Sequence, residues 1–171
     1  MSRLIRYANI NDAEILGRIH SESSKEGFKD IIPDNILIDV FSVERRTKSF
    51  IRELTEGSPT SAIVFEENEP AGFISFGKCR YSNNDKSWTE LWRIYLLPKF
   101  WGSGIAKELI EWGINEIHKS NFTNVELWVL EDNKRARKFY EKIGFIHDNT
   151  SQIIDIMGVG LKEIRYVKSI G

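Results

Sequence analysis

The sequence predicts one α/β domain in which a mixed sheet is flanked by helices. A length of 171 residues suits a single compact domain, so we expect one domain over residues 1–171. The composition, 41% hydrophobic and 29% charged, is that of a folded globular protein. Strand and helix patterns follow in the order strand, helices, three strands, helix, strand, helix and two strands, which favours helices packed on a mixed sheet.

The first third of the chain is predicted to be mostly helical. After one short β-like run, apolar residues recur at helical spacing in three stretches, and the first stretch follows a good N-cap residue. These elements are a strand over residues 4–7, a helix capped by Asn11 or Asp12, and helices over residues 35–41 and 43–56.

The rest of the chain alternates strands with helices. Two β-branched or aromatic runs on either side of a polar turn favour antiparallel strands, and a third, aromatic run ends at Pro98. Beyond it, helical spacing of apolar residues alternates with short β-like runs. The predicted strands are 62–65, 71–76, 88–97, 125–130, 153–154 and 161–168, and the helices are 102–120 and 133–143.

Charge and residue counts argue against several classes of function. Acidic and basic side chains nearly cancel to a net charge of -1 without a basic block, so we expect no nucleic-acid partner. No apolar run is long enough to cross a bilayer and the start lacks the apolar core of a signal peptide, so we expect a cytoplasmic protein without a membrane partner. Cys79 is the single cysteine and the three histidines are far apart, so we assign no metal.

A strand that runs into a glycine-rich turn is the most informative stretch. Residues 93–110 place Gly102 and Gly104 directly before an amphipathic helix. Unpaired N–H groups and the helix dipole favour an anion at such a start, and glycine lets the backbone approach a pyrophosphate. Taken alone this signal is weak, because a tight turn that binds nothing fits it as well. The P-loop and dinucleotide fingerprints are excluded by missing residues.

A second motif, NKRARKFYEKIGF over residues 133–145, makes the first one specific. Together the two closely resemble the acetyl-CoA-binding core of the GNAT (GCN5-related) N-acetyltransferases, whose pattern is Gln/Arg-x-x-Gly-x-Gly/Ala followed by Asn-x-x-Ala-x-x-Phe-Tyr-x-x-x-Gly-Phe. The chain departs from this pattern at Trp101, where the family usually has Gln or Arg. Backbone N–H groups hold the phosphates in such a turn, so we expect the site to remain.

The resemblance implies a GNAT fold, an α/β fold whose central, mostly antiparallel twisted sheet of about seven strands has a splayed cofactor cleft and is flanked by helices. It also implies acetyl-CoA as co-substrate. The strand before the turn would pair its main chain at Ile94 and Leu96 with the pantetheine arm, which Asn133 would also contact. A backbone N–H near Leu96 would hold the oxyanion. The residues implied to bind the cofactor are Ile94, Tyr95, Leu96, Gly102, Ser103, Gly104, Ile105, Ala106, Lys107, Asn133 and Tyr140.

Tyr140 and Glu90 are the candidate catalytic acid and base. Tyr140 falls where the family's general acid commonly sits, although a tyrosine packed beside its neighbour on the helix fits the pattern too. Glu90 matches by spacing the catalytic glutamate of histone acetyltransferases in this superfamily and would act directly or through water; a solvated strand-end carboxylate explains it equally. Ribosomal-protein acetyltransferases use a glutamate on the next strand, where this chain has Trp128, with Glu126 as the fallback.

The acceptor is expected to be a primary amine of a small molecule. Aromatic side chains suit apolar or cationic groups, and Phe28, Trp92 and Trp128 are the candidates to line its site. Residues 28–33 and 161–166 loosely resemble those of bacterial GNAT proteins that act on small amines, polyamines or toxic amino compounds. The chain as a whole resembles the bacterial small-molecule (PaiA-like) or RimI-like type. RimI-like acetylation of a protein N-terminus, acetylation of a lysine, and an acetyl-CoA sensor without turnover stay open. A homodimer is plausible for such a domain, although no sequence pattern indicates one.

Overall fold

This computed structural model describes residues 2–81 and 83–171, which form seven strands and five α-helices. In chain order they are β1 (Arg3–Tyr7), α1 (Ala13–Gly27), α2 (Asp34–Val40), α3 (Val43–Glu56), β2 (Thr60–Glu66), β3 (Glu69–Gly77), β4 (Trp88–Leu96), α4 (Ile105–Lys119), β5 (Asn124–Leu130), α5 (Lys134–Ile143), β6 (Ile146–Ile156) and β7 (Val159–Ser169). Every predicted element is present, and α3 has the predicted bounds.

The seven strands form a single sheet in the order β1-β2-β3-β4-β5-β7-β6. The pairs β1–β2, β2–β3, β5–β7 and β6–β7 are antiparallel, whereas β4 and β5 run parallel with Glu90 opposite Glu126. The predicted fold class, a mixed and mostly antiparallel sheet flanked by helices, is therefore confirmed.

The chain divides into two compact units. The first comprises Met1–Gly77 and Trp92–Gly113, and the second comprises Lys78–Leu91 and Ile114–Gly171. Both β4 and α4 contribute residues to each unit. The single domain over residues 1–171 stays a prediction.

The core of the first unit lies between α1, α3, β2 and β3. Leu16, Ile19, Phe50 and Phe73 are completely buried there, and each such side chain contributes about 1.5–3 kcal/mol by leaving water. Gly17 allows α1 to approach α3 closely, because a Cβ at this position would lie 2.8 Å from the backbone nitrogen of Thr47.

The start of α1 differs from the prediction. Asp12 occupies the N-cap position of α1, one of the two predicted residues, but the side-chain cap is made by Asn9. The Asn9 side chain accepts from the Asn11 N–H at 3.0 Å, and the Asp12 carboxylate accepts from the Asn9 N–H at 2.8 Å. This reciprocal pair caps a single 3₁₀ turn, Ile10–Asp12, that leads into α1. Asp12 itself makes no side-chain cap bond to α1.

The core of the second unit lies under β5 and β7. Val125, Leu127, Ile164 and Tyr166 are buried on these strands, and Leu127 stands opposite Tyr166 across the ladder. The strand β6 is much longer than predicted, since it spans Ile146–Ile156 instead of residues 153–154. The strand β7 spans Val159–Ser169 and so extends the predicted strand 161–168 only slightly at each end.

Candidate active site

The glycine turn, residues 102–107, joins β4 to α4 in the first unit. Gly102 and Gly104 have φ angles of +77° and +87°, which glycine adopts without strain. Because both lie in the left-handed region, α4 begins at Ile105 and not at residue 102 as predicted. A Cβ built on either glycine would meet no described atom within 4 Å. The turn thus presents open backbone before a helix N-terminus, which is what an anion site requires.

Ser103 holds the glycine turn in shape from within. Its Oγ donates to the Phe100 carbonyl at 2.5 Å, and the Ile105 N–H points to the same Oγ at 3.4 Å. The Ile105 side chain is completely buried, which anchors the first residue of α4. The turn is therefore shaped by its own contacts and does not depend on a ligand for its form.

Arg3 bridges two carboxylates, one of them Glu108 in the first turn of α4. Its Nη1 donates to Glu108 Oε2 at 2.7 Å, its Nε donates to Glu66 Oε2 at 2.7 Å, and its Nη2 reaches the Ser103 carbonyl at 3.4 Å. Without this cation Glu108 would oppose an anion at the helix start. Arg3 was not predictable from the sequence, because it lies on β1, about a hundred residues before Glu108, and no local pattern links the two segments. Lys107, predicted to bind the cofactor, is exposed beside Glu111.

Trp101 ties the glycine turn to the end of β4. Its indole Nε1 donates to the Leu96 carbonyl at 3.0 Å. Leu97 is also fixed, because its N–H donates to the Ala71 carbonyl at 2.8 Å. Tyr95 turns its ring towards His20, with centroids 4.9 Å apart, so its main chain rather than its ring is the part that suits a cofactor.

Three buried glutamates occur on β4, β5 and β7 in the second unit. The exposed fractions of Glu90, Glu126 and Glu163 are 0%, 1% and 8%. Glu90 lies opposite Glu126, and strand alternation places Trp128 and Arg165 on the same side as Glu126. We call these five residues the acidic face.

Glu90 is held by a three-point contact with Arg80. The Arg80 N–H donates to Glu90 Oε1 at 2.8 Å, and Arg80 Nε and Nη2 donate to Oε2 at 2.8 and 2.5 Å. Burial raises the pKa of Glu90, although the Arg80 guanidinium opposes the shift. Glu90 is thus a buried and tightly held carboxylate rather than a solvated one. Arg80 lies in a loop without periodicity, so no sequence signal indicated it.

Glu126 has several polar neighbours in the same unit. Asn83 Nδ2 donates to its Oε1 at 3.0 Å, and Arg165 Nη1 lies 3.7 Å from its Oε2. Arg165 is bound more closely to Asp148, at 2.5 Å. The Cys79 thiol also hydrogen-bonds to Glu126, and burial together with this carboxylate raises the pKa of the thiol. Cys79 is therefore a protonated thiol and a poor nucleophile.

Glu163 completes the acidic face. Gln152 Nε2 donates to its Oε1 at 2.5 Å, and burial raises the pKa of Glu163. Tyr81 packs edge-on against Trp128, with ring centroids 5.5 Å apart. The buried Trp128 Nε1 has no acceptor among residues 2–81 and 83–171.

The acidic face and its neighbours carry more negative than positive charge. Their charged groups are four carboxylates and two guanidiniums: Glu90, Glu126, Asp148, Glu163, Arg80 and Arg165. With all groups ionised the balance is two negative charges. Such a partly buried excess of negative charge favours a cationic ligand, because burial strengthens the attraction between the carboxylates and a cation.

Tyr140 and Asn133 lie on and before α5 in the second unit. Tyr140 is half-buried, and its ring lies 5.5 Å from Phe139 and 6.0 Å from Phe145. The Asn133 side-chain oxygen accepts from the Ala136 N–H at 3.3 Å and caps α5, which leaves its NH₂ as the group to offer a ligand. A second phenol, Tyr166, has its ring centroid 6.5 Å from that of Tyr140 and donates to Glu141 at 2.6 Å.

The predicted acceptor-side aromatics occur in both units. In the first unit, Phe28 is buried against Phe41, with ring centroids 5.8 Å apart, and Trp92 lies near Gly77. Trp128 belongs to the second. Within the described ranges, the His, Cys, Asp and Glu side chains form no group of three that would hold a metal ion. The helices described here include none that is both long and apolar enough to cross a membrane.

The fold, the glycine turn and the asparagine-capped helix with its tyrosine are the features that the resemblance to acetyltransferases predicts. The chain belongs to the Acetyltransferase (GNAT) family, whose sequence profile matches residues 32–145. This confirms the resemblance and the class of enzyme predicted from the two motifs.

Relatives and solved structures agree with this assignment. An N-acetyltransferase of Archaeoglobus fulgidus is 28% identical over 138 residues, which are 80% of this chain and 88% of that protein. The L-2,4-diaminobutyric acid acetyltransferase of Vibrio parahaemolyticus is 27% identical over 99 residues, which are 58% of this chain and 53% of that protein. The PaiA N-acetyltransferase of Thermoplasma acidophilum, solved with coenzyme A, shares the fold with a TM-score of 0.73 at 24% identity over 99% of both chains.

Proposed function

We propose that the protein transfers the acetyl group of acetyl-CoA directly to a primary amine of a small molecule. The observation that carries this proposal is the buried negative excess of the acidic face in the second unit. A relative named as a diaminobutyric acid acetyltransferase supports a small acceptor with amino groups.

The glycine turn is our candidate for the diphosphate of acetyl-CoA. No described atom fills the space next to either glycine, so a phosphate oxygen can approach the backbone of the glycine turn there. The Ser103 and Ile105 N–H groups are already engaged, with the Phe100 carbonyl at 3.3 Å and with Ser103 Oγ at 3.4 Å. Arg3 offsets the charge of Glu108 at this helix start. The residues present therefore fit the cofactor, and acetyl-CoA, when bound, supplies the reactive thioester.

The acidic face is our candidate for the acceptor amine. An ammonium group gains from the excess of carboxylates, and Trp128 and Tyr81 add aromatic faces that attract cations. The partly buried setting makes both effects stronger than they are in water.

Glu90 and Tyr140 are our candidates for moving the two protons of the reaction. Glu90 takes one proton from the bound ammonium, directly or through water, so that the neutral nitrogen can bond to the acetyl carbon. The nitrogen loses a second proton as the amide forms, and this proton replaces the one that Tyr140 gives up. Burial makes Glu90 a stronger base than an exposed glutamate, because it raises the pKa of the carboxyl group. As the carbon–sulfur bond breaks, the Tyr140 hydroxyl gives its proton to the thiolate. The products are the acetylated amine and free CoA.

A panel of amines assayed for released CoA tests the proposal. We expect release with at least one small primary amine, and binding of acetyl-CoA by calorimetry. Turnover only with peptides or proteins would overturn the small-molecule acceptor. Tight binding of acetyl-CoA with no thiol released from any amine would make the protein a sensor.

Two matched substitutions test the role assigned to the acidic face. Glu126→Gln keeps the shape of a buried side chain and removes its charge, so we expect KM for the amine to rise roughly tenfold, equivalent to about 1.4 kcal/mol. Glu131→Gln makes the same change at a half-exposed residue that pairs with Lys162 at 3.0 Å, and we expect KM to stay unchanged. Equal values for both variants would remove the acidic face from amine binding.

A further inference from the structure

Buried polar atoms without partners cluster where α1 packs on α3 in the first unit. The two helices approach closely at Gly17, because a Cβ there would lie 2.8 Å from the Thr47 backbone nitrogen. Among residues 2–81 and 83–171, no hydrogen-bond partner exists for five side-chain atoms of these helices: His20 Nδ1, Ser21 Oγ, Ser24 Oγ, Arg46 Nε and Thr47 Oγ1. Helical spacing puts the three residues of α1 on one face. Such atoms destabilise a fold and are few in native proteins, so either water or a polar ligand is bound here.

Arg93 extends this cluster from β4 within the same unit. Its Nε is also buried without a partner in the described part of the chain. Its Nη2 donates to Glu53 and, at 3.2 Å, to Ser75 Oγ. The guanidinium lies 4.8 Å from the Phe50 ring centroid. Arg93 and Glu53 thus form a neutral pair, in which Arg93 keeps one N–H to offer.

Arg46 supplies a positive charge that lacks a counter-ion. Its neighbour Arg45 pairs with Asp39 at 3.2 Å. Over residues 2–81 and 83–171, no carboxylate forms an ion pair with the half-buried Arg46 guanidinium. Burial, together with the nearby cation Arg93, lowers the pKa of Arg46. A negative charge bound beside Arg46 would relieve both effects.

His20 adds a hydrogen-bonding group but no charge. It is 5% exposed, and burial together with the cations Arg93 and Arg46 holds its pKa well below its usual range. A neutral imidazole can still donate from Nδ1 to an anion in the appropriate tautomer. His20, Arg46, Arg93 and Glu53 therefore sum to one positive charge, which a single negative charge would balance.

Aromatic rings surround His20 and Arg46. The Phe41 ring centroid lies 5.6 Å from that of His20 and 5.8 Å from the Arg46 guanidinium carbon. The ring centroids of Tyr95 and Phe50 lie 4.9 and 5.9 Å from that of His20. These rings reduce screening by water, so an ion pair with Arg46 is stronger here than on an open surface.

We infer that Arg46, with His20 beside it, binds a small monocarboxylate between α1 and α3. A carboxylate matches the planar fork of a guanidinium and carries the single charge that balances the cluster. Its two oxygens accept several hydrogen bonds, which suits the unpaired hydroxyls on the two helices. A phosphate would bring nearly two charges to a place that balances one. The ligand has to be small, because the unpaired atoms are shielded from solvent.

Every residue of this carboxylate site belongs to the first unit. Its ligand is a species separate from acetyl-CoA, so the site goes beyond the proposed function and does not depend on it.

A titration with acetate, compared with its neutral isostere acetamide, tests the inference. The ring signals of His20, followed by NMR at constant pH and ionic strength, should shift saturably with acetate and stay in place with acetamide. The signals of the exposed His118 should not move with either. Arg46→Gln should weaken acetate binding roughly tenfold or more, the loss expected for one charged hydrogen bond. Arg45→Gln, the matched change at the neighbouring residue, should bind acetate like the wild type.

Several results would overturn the carboxylate site. No saturable shift of His20 with acetate would mean that water alone satisfies the buried atoms. Equal shifts with acetate and acetamide would mean that charge is not recognised, and this comparison holds even if Arg46→Gln fails to fold. Equal acetate affinity in Arg46→Gln and Arg45→Gln would remove Arg46 from the site. Displacement of acetate by CoA would assign Arg46 to the cofactor. The titration involves no amine and no turnover, so its failure would leave the proposed function standing.

Discussion

Replacing Gly104 by alanine separates the conformational role of the glycine turn from its role in binding. Gly104 has a φ of +87°, and a Cβ there meets no described atom within 4 Å. Gly158, in the tight turn between β6 and β7, has the same φ of +87° and the same open surroundings. Alanine therefore introduces equal backbone strain at both positions, and only at Gly104 would it enter the proposed diphosphate site.

Backbone strain sets the expected loss of thermal stability, and a displaced hydrogen bond to the diphosphate sets the expected loss of affinity. Left-handed backbone costs a non-glycine residue about 1–2 kcal/mol, and each kcal/mol lowers Tm by about 2–4 °C in a protein of this size. Both variants should thus lose about 2–8 °C by differential scanning fluorimetry. A displaced charged hydrogen bond is worth about 1.5–3 kcal/mol, so Gly104→Ala should weaken acetyl-CoA binding roughly ten- to a hundredfold.

Isothermal titration calorimetry with acetyl-CoA and with CoA provides the assay. Gly158→Ala should bind both like the wild type, despite its lower Tm. Gly102→Ala, compared with Gly57→Ala at matching φ angles of +77° and +76°, repeats the design. If Gly104→Ala binds acetyl-CoA as tightly as Gly158→Ala does, the glycine turn does not hold the diphosphate.

Three further substitutions address the other candidate residues. Tyr140→Phe should lower kcat at least tenfold while calorimetric acetyl-CoA binding persists, because only the proton donor is lost. In the wild type, Glu90 acts as a base only when it is ionised, so kcat/KM should rise with pH through the pKa of Glu90, which burial has raised. Glu90→Gln should remove this rise, the acid limb of the pH profile. Trp101→Phe removes the hydrogen bond to Leu96, worth about 0.5–1.5 kcal/mol, and should raise KM for acetyl-CoA several-fold in steady-state kinetics.

For each of these substitutions, one result would contradict the role that we assign to the residue. Unchanged turnover in Tyr140→Phe would exclude this phenol as the acid. An unaltered pH profile in Glu90→Gln would leave water or Glu126 as the base. A normal KM in Trp101→Phe would mean that the indole N–H is not needed to hold the turn.

Local patterns explain which parts of the fold the sequence predicts well. The bounds of α3 are right because both ends are encoded nearby: Ser42 Oγ accepts from the Arg45 N–H at 3.2 Å, and Gly57 ends the helix with a φ of +76°. The glycine turn is predictable for the same reason, since the two glycines and the helix behind them are contiguous.

The strand β6 was underpredicted because it lacks a regular hydrophobic pattern. It is an edge strand, so it needs no continuous apolar face. Its pairing with β7 shifts register between His147 and Ser151, and Asn149 has a φ of +66° in that interval. A period-two search therefore finds only Ile153 and its neighbour.

The acidic face could not be assembled from the sequence, because the register of the sheet sets it. Leu127 faces Tyr166 and Val129 faces Ile164 on one side of the β5–β7 ladder. The residues between them necessarily point the other way, so Trp128 comes opposite Arg165. A slip of one residue would bury these polar groups in the core. The core packing that stabilises the second unit thus also fixes the positions of the charged side chains that we propose to bind the amine. A substitution in the core that changed the strand register would therefore alter acceptor binding, even with every residue of the acidic face left unchanged.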